Sequence, residues 1–378
     1  MIYLDNNATT RIDPRVVDAM TRVHAAGPAN ASSLHRFGRE SNRRLTEAAD
    51  RIADVLHSRV DRPGGPRLIW TSGGTESNHL AVTGIRRDEP LAVSAIEHPC
   101  VLEAAGSEAA RGRPVHYLAV DRRGVVDLDA LGERLRADDR PGVVALMSAN
   151  NETGVLQPVE TAASLCAGAG VHLHVDATQT VGKLEFAPER WGIGSAAFAA
   201  HKFHGPAGVG GLWVRGGVEI DPVMRGGQQQ LGTRPGTEPV ALIVGMAEAL
   251  SLSRDGRDDA AVRMAAMRDR IESDLMAAGD VVVHGGDADR LPHTTCLSPR
   301  GVDRQTLLMA LDFAGVAVGS GSACGSGSMP PSHVLRAMGA GDESLKSAFR
   351  VGVSRMTTDE ELNSAIGLIL RCIGRLRS

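Results

Sequence analysis

Between Leu68 and Arg215 seven short apolar runs alternate with helical patterns: Leu68–Trp70, Leu91–Ile96, Val115–Val120, Val143–Met147, Val171–Val175, Ala196–Ala199 and Val209–Val214. That alternation predicts an α/β domain with a mainly parallel, seven-stranded sheet. Just before it, Leu45, Ala48, Ala49, Ile52, Val55 and Leu56 recur at spacings of three and four, the pattern of an amphipathic helix packed on the sheet. Past Leu250 the texture changes to a polar stretch (Ser253 to Asp259), a helical pattern reaching Ala278, short strands, and a last helix carrying Leu362, Ile366, Ile369 and Ile373. A chain of 378 residues accommodates this as a large domain over 13–250 and a smaller α+β domain built from 1–12 and 251–378.

Composition narrows the function classes. Hydrophobic residues at 42% against charged residues at 23% exclude a mostly disordered chain. The formal charge is −4 and the arginines are dispersed among acids, so no basic run tracks a phosphate backbone and direct nucleic-acid binding is not expected. The start, Met1-Ile2-Tyr3-Leu4-Asp5, lacks a basic segment followed by an apolar one, and no run reaches the length of a membrane span. The expectation is a cytoplasmic protein away from membranes. Five cysteines, an odd number with no C-x-x-C pair, signal neither a disulfide framework nor a zinc site and leave room for a reactive thiol.

Five places could carry chemistry. Lys202 directly follows the strand-like Ser195–His201, where burial would lower its pKa until the amine attacks an aldehyde; most lysines at strand ends simply reach solvent. Asp176 ends another apolar strand, where a carboxylate needs hydrogen bonds or a cation such as a protonated pyridine nitrogen, although an ordinary helix N-cap would look the same. Thr71-Ser72-Gly73-Gly74-Thr75-Glu76-Ser77-Asn78 passes from strand to helix and suits either a phosphate cradle or a plain capped start. His98 lies just past a strand, where open α/β sheets bind ligands, and could stack on a ring or be a satisfied structural residue. Cys324, in Gly319-Ser-Gly-Ser-Ala-Cys-Gly-Ser-Gly-Ser328, has no large apolar neighbours to make it a core residue. The composition of that loop predicts a mobile arm, suited to a thiolate that attacks sulfur bound elsewhere and presents the product. A surface cysteine of no consequence is the alternative.

Taken together and in order, these motifs resemble the cysteine desulfurases of the class V aminotransferase group, within the fold-type I pyridoxal-phosphate enzymes. The resemblance runs over Tyr3–Thr10, Thr71–Asn78, Glu97-His98, Asn150–Gly154, His174–Gln179, His201-Lys202, Gly236-Thr237, Ser320–Cys324 and Val351–Arg355. It implies pyridoxal 5'-phosphate as cofactor, covalently held by Lys202, with Asp176 on the ring nitrogen, Gln179 on the ring hydroxyl and His98 stacked on the ring. Gly74, Thr75 and His201 would bind the phosphate, with Thr237 reaching it from the other subunit of a homodimer. Asn7, Asn151 and Arg355 would fix the substrate carboxylate, Asn151 also touching the cofactor. Lys202, His98 and Cys324 would carry catalysis, L-cysteine being converted to alanine while Cys324 becomes a persulfide.

The cysteine loop, followed by Pro331-Ser-His-Val-Leu335, is similar to the long-loop branch, which passes sulfur to acceptor proteins. Iron–sulfur assembly, tRNA thiolation and DNA phosphorothioation all remain open as destinations. So do an aminotransferase or selenocysteine lyase on the same cofactor set, and an idle scaffold for sulfur acceptors. One position departs from the family's pattern: Ala199 stands where a phosphate-binding serine is common, three residues before the lysine. Weaker cofactor retention is the expected consequence.

Overall fold

The computed structural model describes residues 1–60, 62–321 and 330–377. A two-residue strand, β1 (Ile2–Tyr3), precedes the seven strands of the main sheet: β2 (Arg67–Thr71), β3 (Leu91–Ser94), β4 (Val115–Leu118), β5 (Val143–Ala145), β6 (His172–Asp176), β7 (Ser195–Ala199) and β8 (Gly210–Val214). Their order across the sheet is β2-β8-β7-β6-β5-β3-β4. Only β8 runs against the rest, pairing antiparallel with both β2 and β7. The mainly parallel seven-stranded sheet is therefore present, and each predicted run lies on its strand within a few residues.

Helices cover both faces. One face packs Leu68, Trp70, Val144, Leu173, Val175 and Phe198 against helix Arg36–Val55 and helix Val240–Arg254, and the predicted stripe Leu45, Ala48, Ala49 and Ile52 is buried there. The other face packs Ile69, Val93, Ala145, Ala197 and Leu212 against helices Gly74–Gly84 and Pro99–Ala110. With both faces covered, apolar residues run along the strands without alternation, which is why the runs stand out in the sequence.

The polar stretch from Ser253 to Asp259 spans the end of one helix and the start of the next. Helix Val240–Arg254 leads almost directly into helix Arg257–Ala277, and the break is two residues, Asp255 and Gly256, the second at φ 73°, a left-handed conformation that glycine adopts without cost. Beyond it β9 (Val281–His284), β10 (Thr294–Pro299) and β12 (Phe349–Gly352) form an antiparallel sheet with β10 in the middle, and β11 (Val316–Ala317) pairs in parallel with β1. Helix Asp359–Arg377 buries Leu362, Ile366, Ile369 and Ile373 in the second core, as its spacing predicts. Pairing with β11 ties the chain's first residues to its C-terminal third, and they then run on toward the ends of the main strands. Among the described residues no helix is long and apolar enough to cross a membrane, and no cluster of His, Cys, Asp and Glu could hold a metal ion.

Candidate active site

In a doubly wound sheet the carboxyl ends of parallel strands open into loops and helix N-termini, and ligands bind there. A cleft of about 190 Å³ lies at that edge, lined by Gly74, Thr75, His98, Asn151, Asp176, Gln179, His201 and Lys202, together with Asn78, Cys100, Thr178 and Ala199. Eight residues singled out in the sequence thus meet on one cavity although they span more than a hundred positions.

Lys202 leaves β7 through a single helical turn, Ala200–Lys202. Its Nζ donates to the carbonyls of Asn7 (2.5 Å) and Ala8 (2.9 Å), so the N-terminal segment forms one wall of the site. Burial, then the nearby Arg350 guanidinium, pull its pKa down to about 8, which leaves a useful fraction of free amine near neutrality. Asp176, the last residue of β6, accepts from Asn78 Nδ2 (2.7 Å) and from the Thr178 backbone N–H (2.9 Å). Gln179 donates to the Asn7 carbonyl at 3.1 Å.

His98 caps helix Pro99–Ala110 by accepting the Cys100 N–H on Nδ1 at 3.1 Å. The proton therefore sits on Nε2, the nitrogen free to serve a ligand. Burial lowers the His98 pKa, Asp176 opposing, so the ring is a neutral donor. The N-terminus of helix Gly74–Gly84 has no side-chain cap, since Gly73 precedes it. Beside it the buried Thr178 Oγ1 has no partner and stands 3.1 Å from where a Cβ on Gly74 would lie. His201 is also neutral, its pKa pulled down to about 4 chiefly by burial.

Three expected site residues lie elsewhere. Asn7 is buried next to the cleft, donating to Thr294 Oγ1 at 2.7 Å, and its Oδ1 is unpartnered. Thr237 is exposed and outside the cleft of its own chain. Arg355 borders a second, smaller cavity with Lys183, Lys202, His204 and His293, where it donates to Asp13 (3.1 Å) and to the Leu252 carbonyl (2.6 Å). Cys324 falls outside the described residues.

Two residues not anticipated as functional belong to the site. Arg350, in β12, is 5% exposed and donates to the Asn151 carbonyl (2.8 Å) and to Asp5 (2.7 Å), while its Nε has no partner. An arginine flanked by the strand residues Phe349 and Val351 was the available signal, because burying a guanidinium there needs a reason. Cys100 lies in the cleft within 3.3 Å of Asn78 Nδ2, and burial pushes its thiol up to about 12. Its position two residues after His98 was its only mark.

The family model "Aminotransferase class-V" matches residues 2–364. A cysteine desulfurase of Gluconacetobacter diazotrophicus is 40% identical over the whole of this chain and 94% of its own length. Among solved structures, a NifS-like protein superposes with a TM-score of 0.90 at 33% identity, over 99% of both chains. Another, described as SspA in complex with cysteine, has a TM-score of 0.80 at 26% identity, over 95% of this chain and all of its own. The sheet order, the site at the strand ends and these likenesses agree, and the chain belongs to the class V aminotransferase family, in its pyridoxal-phosphate-dependent cysteine desulfurase branch.

Proposed function

We propose that this protein is a cysteine desulfurase that moves the sulfur of L-cysteine onto its own Cys324, with Lys202 holding the cofactor and carrying the substrate's Cα proton. The observation that carries the reading is the convergence, in one cleft, of a half-buried low-pKa amine (Lys202), a carboxylate (Asp176) and an uncapped helix N-terminus (Gly73–Thr75). Pyridoxal phosphate has an aldehyde, a ring nitrogen and a phosphate to match these three, and the orphaned Thr178 Oγ1 beside the helix start suits the phosphate. Bound there, the cofactor supplies a site for the substrate amine and a ring that stores the electrons left on Cα.

The protein's own groups do the rest. Lys202 Nζ takes the Cα proton and returns it. His98 Nε2–H donates to the reacting sulfur or carbon side of the substrate. Cys324 attacks the substrate sulfur: the carbon–sulfur bond breaks, a sulfur–sulfur bond forms, and L-cysteine plus the Cys324 thiol become L-alanine plus the Cys324 persulfide. The structure described with bound cysteine at 26% identity supports this substrate. A sulfur-acceptor protein takes the sulfur onward, and Thr237, exposed on its own chain, reaches the neighbouring cleft in a homodimer. Equal yields of alanine and sulfide from L-cysteine and a reductant test the reading; formation of a keto acid instead would make the enzyme a transaminase.

For the substrate carboxylate we favour Arg350 over Arg355, because Arg350 is hydrogen-bonded to Asn151 at the cleft while Arg355 is engaged with Asp13 in the second cavity. Replacing the planar, two-pronged guanidinium by an ammonium loses bidentate recognition. Arg350→Lys is expected to raise KM for L-cysteine about tenfold or more, and Arg355→Lys to change it by no more than about twofold. The opposite ranking would restore Arg355 to the role.

Ala199 lines the cleft, its Cβ 3.7 Å from where a Gly74 Cβ would lie, so it borders the proposed phosphate cup with no group to donate. Ala199→Ser adds one donor there. Cofactor affinity is expected to tighten about fivefold, the equivalent of one net hydrogen bond of about 1 kcal/mol. Equilibrium dialysis of the two proteins measures it, and equal or weaker retention in Ala199→Ser overturns the idea.

A further inference from the structure

Asp176 is the end of a hydrogen-bonded chain that runs back through the sheet. Asn78 donates to Asp176 Oδ2 through Nδ2 (2.7 Å), and Asn78 Oδ1 lies 2.9 Å from His174 Nε2. His174 Nδ1 lies 2.9 Å from Ser195 Oγ, which is 2.8 Å from His172 Nε2. His172, His174 and Asp176 alternate along β6 and so share a face, Ser195 is the register partner of His174 on β7, and Asn78 comes from the helix packed on that face. All five are buried, within a face otherwise made of Ile69, Val93, Ala145, Ala197 and Leu212. Polar side chains in such surroundings are costly unless every one is paired.

The direction of each proton follows from the carboxylate, which only accepts. Asn78 must turn its amide nitrogen to Asp176 and its oxygen to His174, so His174 carries its proton on Nε2. The bare Nδ1 then takes the Ser195 hydroxyl proton, and Ser195 Oγ accepts from His172 Nε2–H. Burial keeps both imidazoles neutral, lowering His172 to about 3 and His174 to about 4, so each has one proton to place. At its far end the chain reaches His172, which borders a surface cleft with Arg86, Arg87 and Glu89.

We propose that His172, Ser195 and His174 are positioning residues, a one-directional chain that fixes the Asn78 amide and thereby aims Asp176 at the cofactor's ring nitrogen. This rests on the reading that Asp176 pairs with that nitrogen. Without the Ser195 hydroxyl, His174 is free to move its proton to Nδ1, the Asn78 amide turns over, and an oxygen is set against the Asp176 carboxylate. The sequence alone marks the two histidines only as alternating polar residues in an apolar strand.

Nitrogen-15 spectra of the holoenzyme test this, with histidine labelled in one sample and the cofactor ring nitrogen in another. Native enzyme is expected to show the Nε2–H form of His174 and a protonated ring nitrogen. Ser195→Ala, and His172→Leu as a second variant, are expected to populate the Nδ1–H form, move the ring nitrogen toward its unprotonated shift, and weaken cofactor binding about fivefold. An unmoved ring nitrogen in both variants, or an Nδ1–H form of His174 in the native enzyme, overturns the proposal. Asp176→Asn separates the two layers: if it shifts the ring nitrogen while the chain variants do not, only the chain fails, and if it does not shift it, the reading of Asp176 itself fails.

Discussion

Lys202→Ala is expected to lower alanine formation from L-cysteine by about a thousandfold or more, the scale on which general-base catalysis alone contributes, before loss of the covalent anchor is counted. Lys202 is the half-buried amine on the cleft, and its pKa near 8 places it where it can both accept and return a proton. Lys183 is its nearest rival: more deeply buried, lowered to about 7, but lining the second cavity and donating to the Gln179 carbonyl at 3.2 Å. It therefore does not rescue the variant. Folding is not at stake, because the lost amine only caps the Asn7 and Ala8 carbonyls, worth about 1 kcal/mol each. Alanine is measured with saturating cofactor, and retention of more than a tenth of native turnover would exclude Lys202 from the chemistry.

The sheet and the strand-end residues were legible because they obey one rule. In a sheet covered on both faces a polar residue directly after an apolar run sits at the strand's carboxyl end, so Asp176, His98 and Lys202 point to one edge before any coordinates are known. Residues that join the site across the sequence were less legible. Arg350 arrives from β12 and is brought to Asn151 only by the packing of the C-terminal sheet against the main one. Arg355, which closes the motif Val351–Arg355 and was the arginine taken from it, turns past the end of the strand to Asp13 and the Leu252 carbonyl. The break at Gly256 was hidden for another reason: the polar stretch from Ser253 to Asp259 marks a change of texture without marking a helix boundary, and its charged residues form the end of one helix and the exposed first turn of the next.

Cys324→Ser is expected to lower persulfide-dependent alanine formation by about a hundredfold or more, the attacking thiolate being the group that drives sulfur off the substrate carbon. The four described cysteines supply no substitute. Burial pushes the thiols of Cys100 and Cys166 up to about 12 and raises that of Cys296, and Cys372 is buried against the Ala310 carbonyl. Nucleophilic sulfur needs the thiolate, which burial disfavours at Cys100, Cys166 and Cys296. Cys100 is the telling control because it lies in the cleft itself, 3.3 Å from Asn78 Nδ2. Cys100→Ser keeps a hydrogen-bonding atom there and is expected to retain most of the native turnover, whereas the sequence around Cys324 is glycine, serine and a single alanine, with no large apolar residue from 319 to 328. Intact-mass measurement after one turnover locates the added sulfur: on Cys324 it supports the assignment, and on Cys100, with turnover surviving in Cys324→Ser, it would transfer the nucleophile's role to the cleft cysteine.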